Sequence, residues 1–109
     1  MSTMEKINLI VVNINSTVEK LSLYQATKRA WKFDIEEVKK FNPSYVIGIS
    51  NDKILSVFKY LDVFNDFIEP ERVEFQLGNC SKEEEFLLRK VISSENLKFV
   101  TIKYLTIVL

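Results

Sequence analysis

The segment Ile7–Ile14 constrains the fold most, because it has no continuous polar face. Its side chains are apolar except for Asn8 and Asn13. A half-exposed strand alternates apolar and polar residues, whereas a run that is apolar on both faces is typical of a strand that is buried on both sides. The sequence therefore predicts a largely buried central strand near the start of the chain.

Two short helices are predicted after this strand from their capping signals. Ser22 is followed three residues later by Gln25, the spacing of a capping box, and apolar residues at helical spacing extend this helix over roughly Leu23–Trp31. Asp34 and Glu37 repeat the capping pattern ahead of a second apolar stripe. Both helices lie between the first strand and the next β-rich region.

Strands are predicted in the middle and at the end of the chain. Tyr45–Ile49 and Ile54–Tyr60 are β-rich runs joined by a compact polar turn, which predicts a β-hairpin. Asp62–Pro70 mixes acidic and aromatic residues and is predicted to be a loop whose aromatic members tuck under the sheet. In Arg72–Gly78 apolar and polar residues alternate strictly, which predicts a strand with one face in the core and the other exposed to solvent. Phe99–Leu109 is predicted to be an inner strand.

The last helix has the clearest signals, and the order of elements sets the fold class. Ser81 and Glu84 form a capping box, acidic residues follow at the positive end of the helix dipole, and basic residues lie near its negative end. The order is a strand, two helices, a hairpin, a strand, a helix and a strand, without the regular alternation of a doubly wound parallel sheet. We expect one α+β domain over residues 1–109, with a mixed or antiparallel sheet.

The composition excludes several kinds of chemistry. The chain has no histidine and one cysteine, so it cannot form a Ser/His or Cys/His pair, a His-ligated metal site or an internal disulfide. The helix dipole could lower the pKa of Cys80, but no histidine is available as its base. The acids Glu69, Glu71 and Glu74 lack the spacing of a nuclease or a Ca²⁺ loop. The sequence predicts no enzyme, no cofactor and no metal site.

The charges are segregated along the chain although they balance overall. There are 15 Lys and Arg against 15 Asp and Glu. Residues Lys20–Lys40 hold six bases against three acids, and Asp62–Glu85 holds eight acids against two bases. A net charge of zero argues against tight non-specific binding to DNA. The two stretches are either solvated faces or the two poles of a functional surface.

The start of the chain shows no targeting signal. No cationic stretch precedes its apolar run, no small-residue cleavage site follows, and no run of 18 apolar residues could span a membrane. We expect a cytoplasmic protein without a membrane partner.

Several segments together resemble a known group of small domains. These are Leu23–Lys32, Tyr45–Ile49, Ile54–Phe58 and Glu71–Phe75, with a polar turn between the second and the third. Their order is similar to that of small PUA-like modules, kin to EVE and ASCH domains, which occur alone or fused to restriction and nuclease proteins. The resemblance covers roughly Ile10–Gly78. It implies a small mixed β-barrel or sheet flanked by short helices.

The resemblance also implies a non-catalytic reader of nucleic acid, DNA or RNA, modified or single-stranded. Such modules often hold a modified or flipped base in an aromatic pocket between the barrel and its helices. Trp31 would supply a stacking plane, and Arg29, Lys32 and Arg72 would read the base edge or hold a phosphate. In the simpler interpretation Trp31 is a core residue, Arg72 forms a surface ion pair, and the other two are solvated helix ends.

Two other functions remain open. One is a protein-interaction module or inhibitor, in a phage or restriction setting, which docks its acidic segment Asp62–Glu85 against a basic surface and needs that segment exposed and contiguous. The other is a small hydrolase or transferase, for which the sequence offers no carboxylate in a recognisable motif. The oligomeric state is open too. The apolar run Leu105–Leu109 would have to be an inner strand or pair with another subunit.

Overall fold

A computed structural model describes residues 6–14, 22–28, 31–51, 53–92 and 102–108 of the chain. Within these residues the chain forms five strands and three helices. In chain order they are β1 (Lys6–Asn13), α1 (Leu23–Lys28), α2 (Ile35–Phe41), β2 (Tyr45–Ser50), β3 (Lys53–Asn65), β4 (Val73–Asn79), α3 (Lys82–Ile92) and β5 (Ile102–Val108). None of these helices is long and apolar enough to cross a membrane.

The strands form one mixed, open sheet in the order β4-β3-β2-β1-β5. β1 runs parallel to β2, with Leu9 opposite Tyr45, and the other neighbouring strands are antiparallel. The α+β class and the mixed sheet are confirmed. The described strands do not close into the barrel that the PUA-like resemblance implies, because β4 and β5 lie at opposite ends of the sheet and do not pair.

The sheet is buried on both faces, which explains the apolar first strand. Ile10 and Val12 face a core that is shared with α1 and α2. Leu9 and Val11 face a second core, to which α3 contributes Leu88 and other apolar residues. Because a core covers each side of the sheet at β1, neither face of this strand can carry a row of polar side chains. The prediction of a buried central strand is confirmed.

Local capping fixes the N-termini of α2 and α3 as predicted. The Asp34 carboxylate accepts hydrogen bonds from the amides of Glu36 and Glu37, at 2.9 and 3.3 Å. At α3 the capping box is complete. The Ser81 hydroxyl accepts from the Glu84 amide, and the Glu84 carboxylate accepts from the Ser81 amide, both at 3.1 Å. These helices begin where short-range hydrogen bonds satisfy their first amides.

Helix α1 is shorter than predicted. It ends at Lys28 rather than at Trp31. The main chain of Trp31 instead forms an isolated antiparallel bridge with Val73, in which each residue donates its amide to the other's carbonyl, at 3.2 and 2.9 Å. A residue engaged in such a bridge is extended and cannot also continue a helix.

The third strand is longer than predicted. β3 continues to Asn65 and pairs along β4, with Val63 opposite Phe75, so that only residues 66–72 form the turn. An irregularity in register between Tyr60 and Asp62 interrupts the alternation that would have revealed this strand in the sequence. The predicted loop over 62–70 is therefore wrong in its first half. Its aromatic residues do not tuck under the sheet.

The last strand is at an edge of the described sheet and not inside it. β5 pairs with β1 alone among the described strands, with Leu105 opposite Leu9. Leu105 and Ile107 pack into the core beneath α3, while Tyr104 packs against the opposite core. Leu105, Ile107 and Tyr104 give this edge strand much of the apolar pattern of an inner one, although Thr106 and Val108, on the same face as Tyr104, are exposed. The prediction of an inner strand is wrong for this reason.

Candidate functional site

The residues predicted to bind nucleic acid lie around one backbone bridge. Trp31 is bridged to Val73, Lys32 follows Trp31 in the chain, and Arg72 precedes Val73. The structure thus brings three of the four predicted residues to one place at the edge of β4. The fourth, Arg29, lies outside the described residues.

Trp31 is largely committed to internal contacts. Its ring packs against the core on the side of α1 and α2 and is only partly buried. Its indole N–H donates to the carbonyl of Thr27, at 2.8 Å. A stacking face for a base would have to come from the remaining exposed part of the ring. Trp31 therefore fits a core residue that closes the end of α1 at least as well as it fits a stacking platform.

The charges next to Trp31 are mixed. Lys32 is exposed, but the Nε of Arg72 lies 3.8 Å from a carboxylate oxygen of Glu69. Nearby in the chain, the Lys28 ammonium pairs with Glu74 at 3.1 Å. Each carboxylate close to a base weakens the attraction of that base for phosphate. Among the described residues, this surface has no concentration of positive charge of the kind that nucleic-acid grooves use.

Beside this surface is a small, mainly apolar cavity of about 210 Å³. It is lined by Lys28, Phe64, Glu74, Phe75 and Gln76. Its two charged side chains are the ion pair described above, so they already neutralise each other. The cavity is thus better suited to an apolar side chain than to a phosphate.

The far end of the β3–β4 hairpin exposes large apolar side chains. We call residues 66–72 the hairpin tip. At the tip, 93% of the Phe67 surface and 67% of the Ile68 surface are exposed. Leu61 and Phe64, on the last part of β3, are each about half exposed. We call these two residues the β3 strip. Single exposed apolar residues are common, whereas Phe67 and Ile68 are adjacent and together expose an apolar patch at the tip.

The hairpin tip has a defined conformation. Asp66 is buried, and its carboxylate accepts from the amides of Ile68 and Glu69, at 2.9 and 3.0 Å. The Asp66 amide donates to the carbonyl of Arg72, and the Arg72 amide donates to the carbonyl of Glu69, both at 2.8 Å. These bonds fix the backbone on both sides of Phe67. Its exposure therefore follows from a structured turn.

The acidic residues do not act as one group. Among those of the predicted acidic segment, Glu74 pairs with Lys28, Glu85 pairs with Arg89, and Asp66 is buried in the turn. Asp62 on β3 and Glu71 within the tip, by contrast, are exposed. The free negative charge on the hairpin is therefore concentrated close to its exposed apolar residues.

A second, polar cavity of about 380 Å³ lies where the start of α3 meets β2 and β3. Lys59 is 3.3 Å from the Glu84 carboxylate, which also accepts a hydrogen bond from the Tyr45 hydroxyl. The bonds from Tyr45 and from the Ser81 amide lower the pKa of Glu84 to about 2. A carboxylate this acidic is a poor general base at neutral pH. The cluster joins α3 to the sheet.

Cys80 also lacks the properties of a nucleophile. Its thiol donates to the carbonyl of Val57, at 3.2 Å. Burial raises the pKa of Cys80, and the nearby carboxylates of Glu85 and Glu84 raise it further. The net change is opposite to the lowering expected from the helix dipole, because burial and the glutamates of the same helix raise this pKa.

Comparison of the chain with models of protein families, with curated proteins and with solved structures finds no match. Function is therefore inferred from the geometry of the described residues. Phe67 and Ile68 at the hairpin tip were not among the site residues predicted from the sequence. The available signal was a pair of adjacent apolar residues, Phe67 and Ile68, between acidic residues and ahead of Pro70, a pattern that also suits a buried loop.

Proposed function

We propose that this chain is a protein-interaction module whose contact surface is the hairpin tip together with the β3 strip. The observation that carries the proposal is the exposure of Phe67 and Ile68 on a turn that is held by hydrogen bonds. Burying a phenylalanine or isoleucine side chain stabilises a protein by about 1.5–3 kcal/mol. The fixed turn leaves both side chains in water. A partner that covers them would therefore gain this free energy of burial on binding.

The length of the β3–β4 hairpin supports this role. The hairpin is long, because β3 alone has 13 residues. A long hairpin with apolar residues at its end can reach into a concave surface, and aromatic residues in fully desolvated pockets commonly dominate binding energy.

An affinity experiment tests the proposed function. The tagged chain is used to isolate partners from the source cells and is compared with the double variant Phe67→Ser/Ile68→Ser. The variant Phe86→Ser is the matched control, because Phe86 is 73% exposed but lies on α3. Loss of a stoichiometric protein partner with the double variant alone, followed by the same ranking in calorimetry with the purified partner, is the expected result. Equal retention by all three chains contradicts the proposal.

Nucleic-acid binding by a PUA-like module is kept as a second candidate. What favours it is the proximity of Trp31, Lys32 and Arg72 around one bridge. Trp31 is the single tryptophan, so its fluorescence reports on this surface directly. Saturable, salt-sensitive quenching by short single-stranded or base-modified oligonucleotides, lost in Arg72→Ala, would support the candidate. Unchanged fluorescence would exclude it.

A further inference from the structure

The hairpin tip is organised before any partner binds. Asp66 holds the amides of Ile68 and Glu69, and the Asp66 and Arg72 amides close the turn from the other side. Ordering a flexible loop on binding opposes association, so a turn that is already ordered binds more tightly for the same contact area. Asp66 directly precedes Phe67, the most exposed aromatic residue of the described chain. The hydrogen bonds of Asp66 therefore fix the backbone that carries the Phe67 side chain.

The charge around Phe67 selects the chemistry of a partner. Residues 62–72 hold four acids and one base, Arg72, which pairs with Glu69. Asp66 is buried in the turn, whereas Asp62 on β3 and Glu71 within the tip are exposed. A partner that covers Phe67 brings its own surface close to these carboxylates. Basic side chains at that distance would be attracted, and acidic side chains or anionic lipid headgroups would be repelled.

We propose, building on the function above, that Phe67 is the anchor of the interface and enters an apolar pocket in a protein whose rim carries lysine or arginine side chains. Asp66 acts as a positioning residue that keeps Phe67 pointed outward. Ile68 and the β3 strip widen the apolar contact. Asp62 and Glu71 face the basic rim and govern the rate and salt dependence of association.

The first experiment locates the contact. The photo-reactive amino acid p-benzoylphenylalanine replaces Phe67 in one full-length chain and Phe86 in a second, and both are irradiated in the source cells. The expected result is a specific protein cross-link from position 67 only, which maps by mass spectrometry to a segment with apolar residues and neighbouring lysine or arginine. A cross-linked segment that is acidic or lacks apolar residues overturns the proposal, and so does the absence of any cross-link.

The second experiment measures affinity with the purified partner. Phe67→Ala is expected to weaken binding by about 30-fold or more, the scale of an anchor residue in an interface. Asp62→Asn/Glu71→Gln should weaken binding less and should flatten its dependence on salt. Asp66→Ala should reduce affinity although Phe67 is retained. Asp66→Asn, which keeps an oxygen that accepts from both amides, should restore most of it.

The outcomes separate this inference from the proposed function. If Leu61→Ser/Phe64→Ser abolishes binding while Phe67→Ala does not, the hairpin binds a protein but Phe67 is not the anchor, so only the inference fails. If neither change alters binding, both fail. Binding of the wild-type chain, but not of Phe67→Ala, to vesicles of phosphatidylcholine and phosphatidylserine would identify a membrane as the target and would overturn the inference.

Discussion

Gly48 in the middle of β2 is the position at which adding one methyl group should affect folding most clearly. The Ser56 and Thr27 hydroxyls form a buried hydrogen bond of 2.8 Å above it. Thr27 donates its own proton to the carbonyl of Leu23, at 2.7 Å, so Ser56 is the donor to Thr27. A Cβ on Gly48 would lie 2.3 Å from the Ser56 oxygen and 2.8 Å from the Thr27 oxygen.

The magnitude follows from three contributions of different sign. Alanine in place of glycine in a strand gains about 0.5–1 kcal/mol by restricting the unfolded chain. Overpacking costs about 1–3 kcal/mol. Separating the two buried hydroxyls costs about 1–3 kcal/mol more, because Ser56 loses its acceptor. Gly48→Ala should therefore lower the free energy of unfolding by about 1–5 kcal/mol, and the melting temperature by roughly 5–25 °C.

A matched substitution tests the reasoning. Gly78 is also in a strand, but a Cβ there would meet the end of the half-exposed Leu61 side chain, at 3.3 Å, which can move into solvent. Gly78→Ala should be neutral or stabilise by up to about 1 kcal/mol. Adding Ser56→Ala to Gly48→Ala removes the closest contact and should recover part of the loss. Urea unfolding followed by circular dichroism measures all of these variants. Equal stability of the two Gly→Ala variants, or no recovery with Ser56→Ala, would refute the argument.

Three further predictions concern α3 and the core. The pKa of Glu84 is held at about 2, below its ordinary 4.5, chiefly by the Tyr45 hydroxyl, so Glu84 stabilises the fold above pH 4.5 and this contribution is lost as pH falls toward 2. Glu84→Gln should flatten that part of the stability profile, as urea midpoints down to pH 2 will show. Ser81→Ala removes one side-chain cap and should cost about 1 kcal/mol in urea unfolding. Phe75→Ala opens a cavity at a fully buried ring and should cost about 3–5 kcal/mol, measured as a fall in melting temperature.

The features that could be predicted from the sequence are those set by short-range signals. The caps at Asp34 and Ser81 depend on residues two or three positions away, and both helices begin where expected. The alternation of Val73, Phe75 and Leu77 likewise placed β4 and its buried face. Such features can be predicted from a short stretch of sequence, because the hydrogen bonds of a cap and the pleat of a strand depend on neighbouring residues.

The features that could not be predicted depend on contacts between distant segments. Trp31 leaves the helix because it pairs with Val73, which is 42 positions further along the chain. Phe67 has the same sequence context as a buried loop aromatic, and only the Asp66 turn decides that it points outward. A contact through the acidic segment Asp62–Glu85 stays a prediction, and the apolar residues of the tip were not among the predicted contacts. The part of the prediction concerning nucleic acid stays a prediction.

The bridge between Trp31 and Val73 also limits how this molecule can assemble. A strand at the edge of a sheet offers its unpaired amides and carbonyls to any extended chain, and this is how sheets of separate molecules join into fibres. At the first residue of β4, both main-chain groups of Val73 are already occupied by Trp31. A partner held at the hairpin tip therefore cannot pair its main chain with Val73. At this position of the sheet edge, contact with a partner is left to side chains.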